Sequence, residues 1–365
     1  MDISNYPIKN RKDEHILLVS TEDVETHTTT WLENVKFVHN TLPELNLDDV
    51  DLSCKFLGKS ISSPLIIGAM TGGTELTKKI NVSLAKAAQK FRIPMMVGSQ
   101  RVILRHPETK GTFAAVREFA PDVPIVGNIG IAQIATSENF DYMEELITNI
   151  NADALAIHLN VIQEVIQPEG DKIFSNGIKN IKDLKEQYNI PIIVKETGCG
   201  ISREVAQQLI EIGVDVIDVS GIGGTSWVAV EYYRAKKQGL KSKMDLGKLF
   251  WDWGIPTAAS ILEVNSMTNK TSKTKIIGSG GIRDGIDIAK ALRLGANFAA
   301  MARPFLMVAL EGQESIYQFI EKTLRELRIS MLLTGSKNVR ELRKTPIVIE
   351  SSLKNWIKQR NIEFK

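Results

Sequence analysis

The sequence has no apolar run long enough to cross a membrane and no excess of basic charge. Its longest apolar runs fall well short of the roughly 18 residues that a membrane helix needs. The opening segment MDISNYPIKNRKDEH has no apolar stretch of the kind found in secretory signals. The 45 Lys and Arg residues and 43 Asp and Glu residues leave a net charge of +2, whereas nucleic-acid binders concentrate basic residues on one face. We therefore expect neither a membrane nor a nucleic-acid partner.

Cysteine is also scarce. Cys54 and Cys199 are the two cysteines of the 365 residues, and no CxxC or Cys/His cluster suggests a zinc site. We expect both thiols to be free and the protein to be cytoplasmic. With 43% hydrophobic and 24% charged residues, the composition is that of an ordinary globular protein.

From about Pro64 onward, short apolar runs alternate with amphipathic helical segments. The apolar runs lack polar alternation, as in strands that are buried on both faces. Eight strand–helix units predict an α/β fold of the (β/α)₈ TIM-barrel type. An open doubly wound sheet is the rival, and the barrel is favoured by the count of eight and by a phosphate-site pattern in the last two units. The predicted strands are 65–70, 95–98, 125–127, 154–158, 192–196, 216–220, 275–278 and 298–301.

Three segments lie outside the regular repeat. Residues 1–64 form an N-terminal extension, and residues 335–365 form a tail predicted as a terminal helix plus a surface segment, which leaves 65–334 as the barrel. Residues 221–274 make an unusually long loop after the sixth strand, ending in the predicted helix of WDWGIPTAASILEV. Long βα loops of barrels usually cover the active-site face.

Polar residues follow nearly every predicted strand, at the barrel end where active sites are found. The strongest pattern is SGGIR after the seventh strand and ARP after the eighth. Gly280 and Gly281 allow close backbone approach, the following helix offers free N–H groups, and Arg283 and Arg303 can each bind phosphate through two hydrogen bonds. The alternative is a plain tight turn.

Other candidate residues each have a second interpretation. Lys195 interrupts an apolar strand, and it is either paired with Glu196 or faces a ligand as a Schiff-base amine or a stabilising cation. His158 is a hydrogen-bonded core residue or a ligand or general acid–base group. Glu164 is a solvated loop residue or a Mg²⁺ ligand beside phosphate oxygens. The charged run that starts at Arg11 is by itself more typical of a solvated terminus.

Taken together, the motifs resemble the type 2 isopentenyl diphosphate isomerases. They extend from Arg11 to at least Arg303, and the pairing of RKDEH with HLN…QE…QPEGD is the most specific feature; the shared motifs are RKDEH, GAMTGG, GSQR, HLNVIQEVIQPEGD, VKETGCG, DVSGIGGTSW, DWGIPT and SGGIRDG…MARP. The family is an FMN-dependent (β/α)₈ barrel that interconverts isopentenyl and dimethylallyl diphosphate. The resemblance implies reduced FMN, Mg²⁺, NADPH or another reductant, no net redox change, and a homo-oligomer, a tetramer or an octamer.

The resemblance also implies roles for individual residues. Lys195 and His158 are the implied catalytic residues, with the reduced flavin itself as the acid and base. Glu164 is the implied Mg²⁺ ligand, and Asn160 belongs to the same cluster. The implied FMN contacts are Ala69, Met70, Thr71, Ser99, Asn128, Lys195, Ser220, Thr225, Gly281, Ile282, Arg283, Ala302 and Arg303. The implied substrate contacts, chiefly to the diphosphate, are Arg11, Lys12, Ser99, Gln100, Arg101, His158 and Gln163.

Two other kinds of function compete with the isomerase hypothesis: an FMN-barrel oxidoreductase, of which two types are considered, and a non-enzymatic sensor. A 2-hydroxy acid oxidase shares the glycine–arginine pattern and the strand-5 lysine, but it places a histidine before the seventh strand's glycines, where this chain has none. An inosinate-type dehydrogenase needs a cysteine after the sixth strand, where this chain has Thr225. A non-enzymatic flavin or phosphometabolite sensor would not need Glu164 or the Arg11–Lys12 pair.

Overall fold

The computed structural model describes residues 11–268 and 272–363. The first ten residues of the predicted extension, the segment 269–271 of the long loop and the last two residues of the predicted tail lie outside the described residues. Before the barrel, the chain forms a helix and three short strands. They are α1 (Arg11–Thr21), β1 (Val35–Phe37), β2 (Cys54–Phe56) and β3 (Lys59–Ile61).

Within the described residues, eight parallel strands close into one barrel, which confirms the predicted TIM barrel and excludes the open sheet. Each strand pairs with its neighbours in chain order, and the last barrel strand returns to pair with the first. The barrel strands are β4 (Leu65–Ile67), β5 (Met95–Met96), β6 (Ile125–Gly130), β7 (Ala154–Leu159), β8 (Ile192–Glu196), β9 (Val216–Asp218), β10 (Lys275–Ser279) and β11 (Phe298–Met301).

Helices follow the strands and pack their apolar faces on the barrel. In α2, Leu76, Ile80 and Leu84 are buried at the spacing of one helical face, and Thr74 caps the helix by accepting the N–H of Thr77. The helices of the barrel region are α2 (Glu75–Phe91), α3 (Lys110–Phe119), α4 (Ile131–Ala135), α5 (Tyr142–Asn149), α6 (Val161–Ile166), α7 (Gly177–Gln187), α8 (Arg203–Glu211), α9 (Trp227–Lys237), α10 (Lys241–Leu249), α11 (Thr257–Met267), α12 (Gly285–Leu294), α13 (Arg303–Glu311) and α14 (Gln313–Leu332).

The barrel interior is a packed apolar core, and the β2–β3 hairpin closes it at the amino end of the strands. Phe56 and Ile61 of the hairpin join the inward-facing barrel residues Ile66 and Val126 in one buried cluster. The ring of Phe56 meets that of Phe298 edge-on, with centroids 4.9 Å apart. Because this end is filled, a ligand can enter only at the opposite, carboxyl end of the strands.

The tail contains α15 (Val339–Leu342), β12 (Ile347–Ile349) and α16 (Ser351–Gln359). The strand was not predicted: β12 pairs antiparallel with β1, so that the extension and the tail meet at Val35 and Ile349. The long loop holds α9 and α10 in addition to the predicted helix, which is α11. None of the described helices combines the length and the apolar character that crossing a bilayer requires.

Candidate active site

A cavity of about 230 Å³ lies at the carboxyl end of the barrel, where all eight strand ends and helix α1 contribute to its walls. The structure brings together at this cavity every sequence-predicted site residue except Gln100. Those that line it are Arg11, Lys12, Ala69, Met70, Thr71, Ser99, Arg101, Asn128, His158, Asn160, Gln163, Glu164, Lys195, Ser220, Thr225, Gly281, Ile282, Arg283, Ala302 and Arg303.

Gln100 lies behind the cavity wall rather than on its surface. Its side chain is fully buried, its Nε2 donates to the carbonyl of Leu146 at 2.9 Å, and its Oε1 accepts the N–H of Asn128 at 3.0 Å. Both ends of the amide are engaged by the backbone, and the substrate contact at Gln100 stays a prediction. It holds Asn128 in place at the cavity wall.

One end of the cavity is built from two glycine-containing loops that pack backbone against backbone. Gly280 and Gly281 have φ of 93° and 71°, and a Cβ on either would lie 2.1 Å from a carbonyl oxygen of the loop at Gly221 or Gly223. Only glycine therefore fits at these two positions. Residues 280–283 and 302–303, which precede or begin α12 and α13, line this end of the cavity.

Two arginines face this end, and one carboxylate binds both of them. Arg283 Nη2 and Arg303 Nη1 each donate to the same oxygen, Oε1 of Glu25, at 2.6 Å. Arg303 also donates from Nε to the carbonyl of Val19 at 3.1 Å. Glu25 carried no sequence signal, since it lies in the extension, more than 250 positions before the arginines.

Lys195 lines the cavity from β8, in register with His158 on one side and Asp218 on the other. It is buried and its Nζ donates to the main-chain carbonyl of Glu196 at 2.6 Å. The proposed ion pair with the Glu196 carboxylate is absent from the described structure, because that carboxylate instead accepts N–H groups from the turn after β8. Burial raises the pKa of Asp218, and the charge of Lys195 acts in the opposite direction.

His158 is held in one orientation and is electrically neutral. Its Nδ1 and the Oδ1 of Asn128 are 2.7 Å apart, which is a hydrogen-bond distance. Burial, followed by the charges of Lys195, Arg101 and Lys12, lowers the pKa of His158 to about 3. In this state the imidazole can position a ligand, but it carries no proton to give as an imidazolium.

A cluster of cations lies beside His158. Lys12 Nζ donates to the carbonyl of Ser99 at 2.7 Å. Burial, followed by the charges of Arg11 and Arg101, lowers the pKa of Lys12 to about 7. The positive charges of Lys12, Arg11 and Arg101 repel one another. Binding of a multiply charged anion between them would therefore be strongly favoured.

Glu164 and Asn160 form the predicted metal cluster. The Glu164 carboxylate is buried, accepts Asn160 Nδ2 at 3.0 Å through Oε1, and accepts the N–H of Asp171 at 2.9 Å through Oε2. Among the described residues, Asn160 Oδ1 and Gln167 Nε2 are buried polar atoms with no partner. Since buried polar atoms are nearly always bonded, these two atoms indicate an absent polar ligand. The described part of the chain contains no group of three or more His, Cys, Asp or Glu placed to hold a metal.

Sequence reasoning missed a second polar network, which reaches Gln163 and lies near Arg11. His15 Nε2 lies 3.1 Å from Glu231 Oε1, which also accepts Gln163 Nε2 at 3.3 Å. Arg234 donates to the other oxygen of Glu231 at 2.7 Å. His15 could have been found, because it follows Arg11 by four residues and therefore shares its helix face. Glu231 gave no signal within the long loop.

Comparison with known proteins identifies the family of the chain. The family described as FMN-dependent dehydrogenase matches residues 19–105 and 147–349. A Thermococcus kodakarensis protein named isopentenyl-diphosphate delta-isomerase is 48% identical over 358 residues, 96% of this chain and 94% of the relative. A protein of the same name from Methanothermobacter thermautotrophicus is 44% identical over 98% of each chain.

Solved structures share the fold at low sequence identity. A flavocytochrome b2 variant with sulfite bound aligns with a TM-score of 0.68 and 20% identity, over 96% of this chain and 85% of the other. A lactate oxidase from Pediococcus acidilactici gives 0.64 and 17%, over 93% and 88%. These likenesses establish the barrel, and the closer sequence relatives establish the enzyme family. The chain belongs to the type 2, FMN-dependent isopentenyl-diphosphate delta-isomerases.

Proposed function

We propose that the protein interconverts isopentenyl diphosphate and dimethylallyl diphosphate by an allylic double-bond shift, using reduced FMN and Mg²⁺, with NADPH as reductant. The observation that carries the proposal is the joining, in one cavity, of a phosphate cradle to a separate wall of cations and a buried carboxylate–amide pair. A site that binds only flavin needs the phosphate cradle but needs neither the wall of cations nor the carboxylate–amide pair.

The residues of the cradle fit FMN. Arg283, Arg303 and the glycine loops would hold its phosphate, and Lys195 would place a positive charge at the pyrimidine edge of the ring. Thr71 Oγ1 is buried without a partner among the described atoms, as expected of a group awaiting a cofactor. When bound and reduced, FMN supplies an electron-rich ring that can give and accept a proton. The remaining contacts would come from Ala69, Met70, Ser99, Asn128, Ser220, Thr225, Gly281, Ile282 and Ala302.

The second wall fits a diphosphate and a magnesium ion. Mg²⁺ commonly takes one or two protein oxygens and completes its shell with water and phosphate. Glu164 and the free Oδ1 of Asn160 would provide those oxygens. The diphosphate would be bound by the cations and donors of Arg11, Lys12, Ser99, Arg101, His158 and Gln163.

The protein residues would act mainly by placement. The neutral His158 would position the diphosphate end of the substrate. Lys195 would stabilise negative charge on the cofactor. Lining residues such as Met70 and Ala69 offer an apolar surface to the five-carbon chain. The roles that we assign to these residues are therefore positioning and charge stabilisation.

The test is an anaerobic incubation of the purified protein with FMN, NADPH, Mg²⁺ and isopentenyl diphosphate, with dimethylallyl diphosphate quantified. Omitting any one component should abolish or greatly reduce product. Failure to form product with fully reduced FMN bound would overturn the proposal, and 2-hydroxy acids would then be tested as substrates. Light scattering on a sizing column would test the proposed homo-oligomer, and cell fractionation the proposed cytoplasmic location.

A further inference from the structure

We propose that Glu25 is part of the cofactor-phosphate subsite, where its carboxylate occupies the position of a phosphate oxygen and must be displaced when FMN binds. This inference rests on the proposed binding of FMN. It assigns to Glu25 the role of an internal competitor that sets the affinity for the phosphorylated cofactor.

The contacts of Glu25 are those that a phosphate oxygen would make. A single atom, Oε1, accepts from Arg283 and from Arg303 at the same distance of 2.6 Å. Two guanidinium groups converging on one oxygen at the mouth of a glycine cradle are typical of a phosphate site. Within the described residues, neither arginine is ion-paired with any other carboxylate.

Charge balance makes shared occupancy unfavourable. The two arginines carry two positive charges, and a phosphate monoester carries about −1.5 to −2 at pH 7. With Glu25 in place, the arginines retain only one net positive charge to attract the phosphate. The carboxylate and the phosphate would also repel each other at contact distance, so one of them must leave.

The backbone around Glu25 allows its side chain to leave by itself. Ser226 donates its N–H to the carbonyl of Val24 at 2.7 Å, and Thr26 donates its own to Gly224 at 2.9 Å. Trp251 Nε1 donates to the main-chain carbonyl of Glu25 at 2.9 Å. The segment is therefore anchored through its main chain, while the Glu25 side chain is 39% exposed and has a route to solvent.

The experiment is a titration of the apoprotein with FMN and with riboflavin, followed by flavin fluorescence, for the wild type and for Glu25→Gln. We expect Glu25→Gln to bind FMN roughly fivefold to tenfold more tightly, since partly exposed charge pairs have modest effects. Riboflavin, which lacks the phosphate, should bind equally to both proteins. Glu22→Gln makes the same charge change in the same segment, without an ion pair to either arginine in the described structure, and should behave as the wild type.

The other outcomes contradict the inference in different ways. Weaker FMN binding by Glu25→Gln would mean that Glu25 orients the arginines for the phosphate, and equal binding would mean that it has no part in the subsite. If Glu25→Gln also binds riboflavin more tightly than the wild type does, the gain in affinity does not arise at the phosphate. If neither protein binds FMN, the proposed function itself fails. Glu25→Ala, which keeps the main-chain anchors, repeats the comparison should the glutamine variant not fold.

Discussion

At the scale of single residues, burial sets the charge of the groups that would meet the substrate. Lys12 and His158 lie on the same wall, yet the pKa of the lysine is about 7 and that of the histidine about 3. Near pH 7 the lysine is therefore present in both its charged and its neutral form, whereas the histidine is neutral. An arriving diphosphate changes this balance, because its negative charge favours the protonated lysine.

The pH dependence of catalysis should report the titration of Lys12. Its lowered pKa means that it is charged below pH 7 and neutral above, and diphosphate binding needs the charge. We expect kcat/KM for isopentenyl diphosphate to be about tenfold lower at pH 8 than at pH 6. In Lys12→Arg, which stays charged throughout, this fall should disappear, and an unchanged profile would exclude Lys12 as its cause.

Substitution of Glu164 should weaken metal binding more than it alters the fold. Glu164→Gln keeps the shape and an oxygen for the N–H of Asp171 but removes the charge. We expect the Mg²⁺ concentration for half-maximal activity, and the Mg²⁺ dissociation constant measured by calorimetry with substrate diphosphate present, to rise at least tenfold. Glu186→Gln, which alters an exposed carboxylate on α7 that does not line the cavity, is the control. Equal effects in the two variants would argue against a metal ligand at Glu164.

The site residues that sequence could predict are those whose position follows from their place at the end of a predicted strand. Lys195, His158 and Arg283 come at strand ends, and the barrel brings strand ends together. Glu25 and Glu231 could not be predicted, because their partners are set by how the extension and the long loop fold over the barrel. The burial of the Gln100 side chain could not be predicted either, because its position beside Arg101 gave no sign that its amide is bonded to the backbone.

At the scale of elements, one buried carboxylate fastens the C-terminal helix to the barrel. Glu263 on α11 is completely buried. Its Oε1 accepts Trp356 Nε1 at 2.8 Å and Arg360 Nε at 2.7 Å, both from α16 or its end. Its Oε2 accepts the main-chain N–H of Arg203 at 3.2 Å. The carboxylate therefore joins three elements that are distant in sequence.

Loss of this carboxylate should release α16. Glu263→Ala leaves partly buried donors without this acceptor, and we expect the free energy of unfolding to fall by about 2–4 kcal/mol. Amide hydrogen exchange of residues 351–359 should increase more than that of the barrel strands. Glu204→Ala removes an exposed partner of the same Arg360 and should cost under about 1 kcal/mol. Equal protection of α16 in both variants would contradict this account.

The elements that sequence predicted are those with strong internal patterns. All eight barrel strands were found because each is an apolar run between helical segments. The β12 strand was missed because it has only three residues, none fully buried, and owes its structure to a partner about 310 positions earlier. The helices α9 and α10 were obscured by a Lys-rich segment with a weak apolar face.

At the scale of the whole molecule, the cofactor should stabilise the fold, because its proposed contacts come from most of the strands. FMN at 100 times its dissociation constant adds about 2.7 kcal/mol to the free energy of unfolding. For a chain of this size we expect the thermal midpoint to rise by roughly 2–5 °C. Arg283→Met should lose most of this shift at the same FMN concentration. A full shift in the variant would show that the phosphate is held elsewhere.

The pairing of β1 with β12 has a consequence for biosynthesis. The ribosome releases Val35 long before Ile349, so the extension that carries Arg11 and Lys12 waits for almost the whole chain before its strand finds a partner. The barrel strands lie between them and can close first. Lys12 and Val24 have partners within the barrel region, at Ser99 and Ser226, so a nascent chain interrupted before β12 would carry a closed barrel with its cation wall in place and only β1 unpaired.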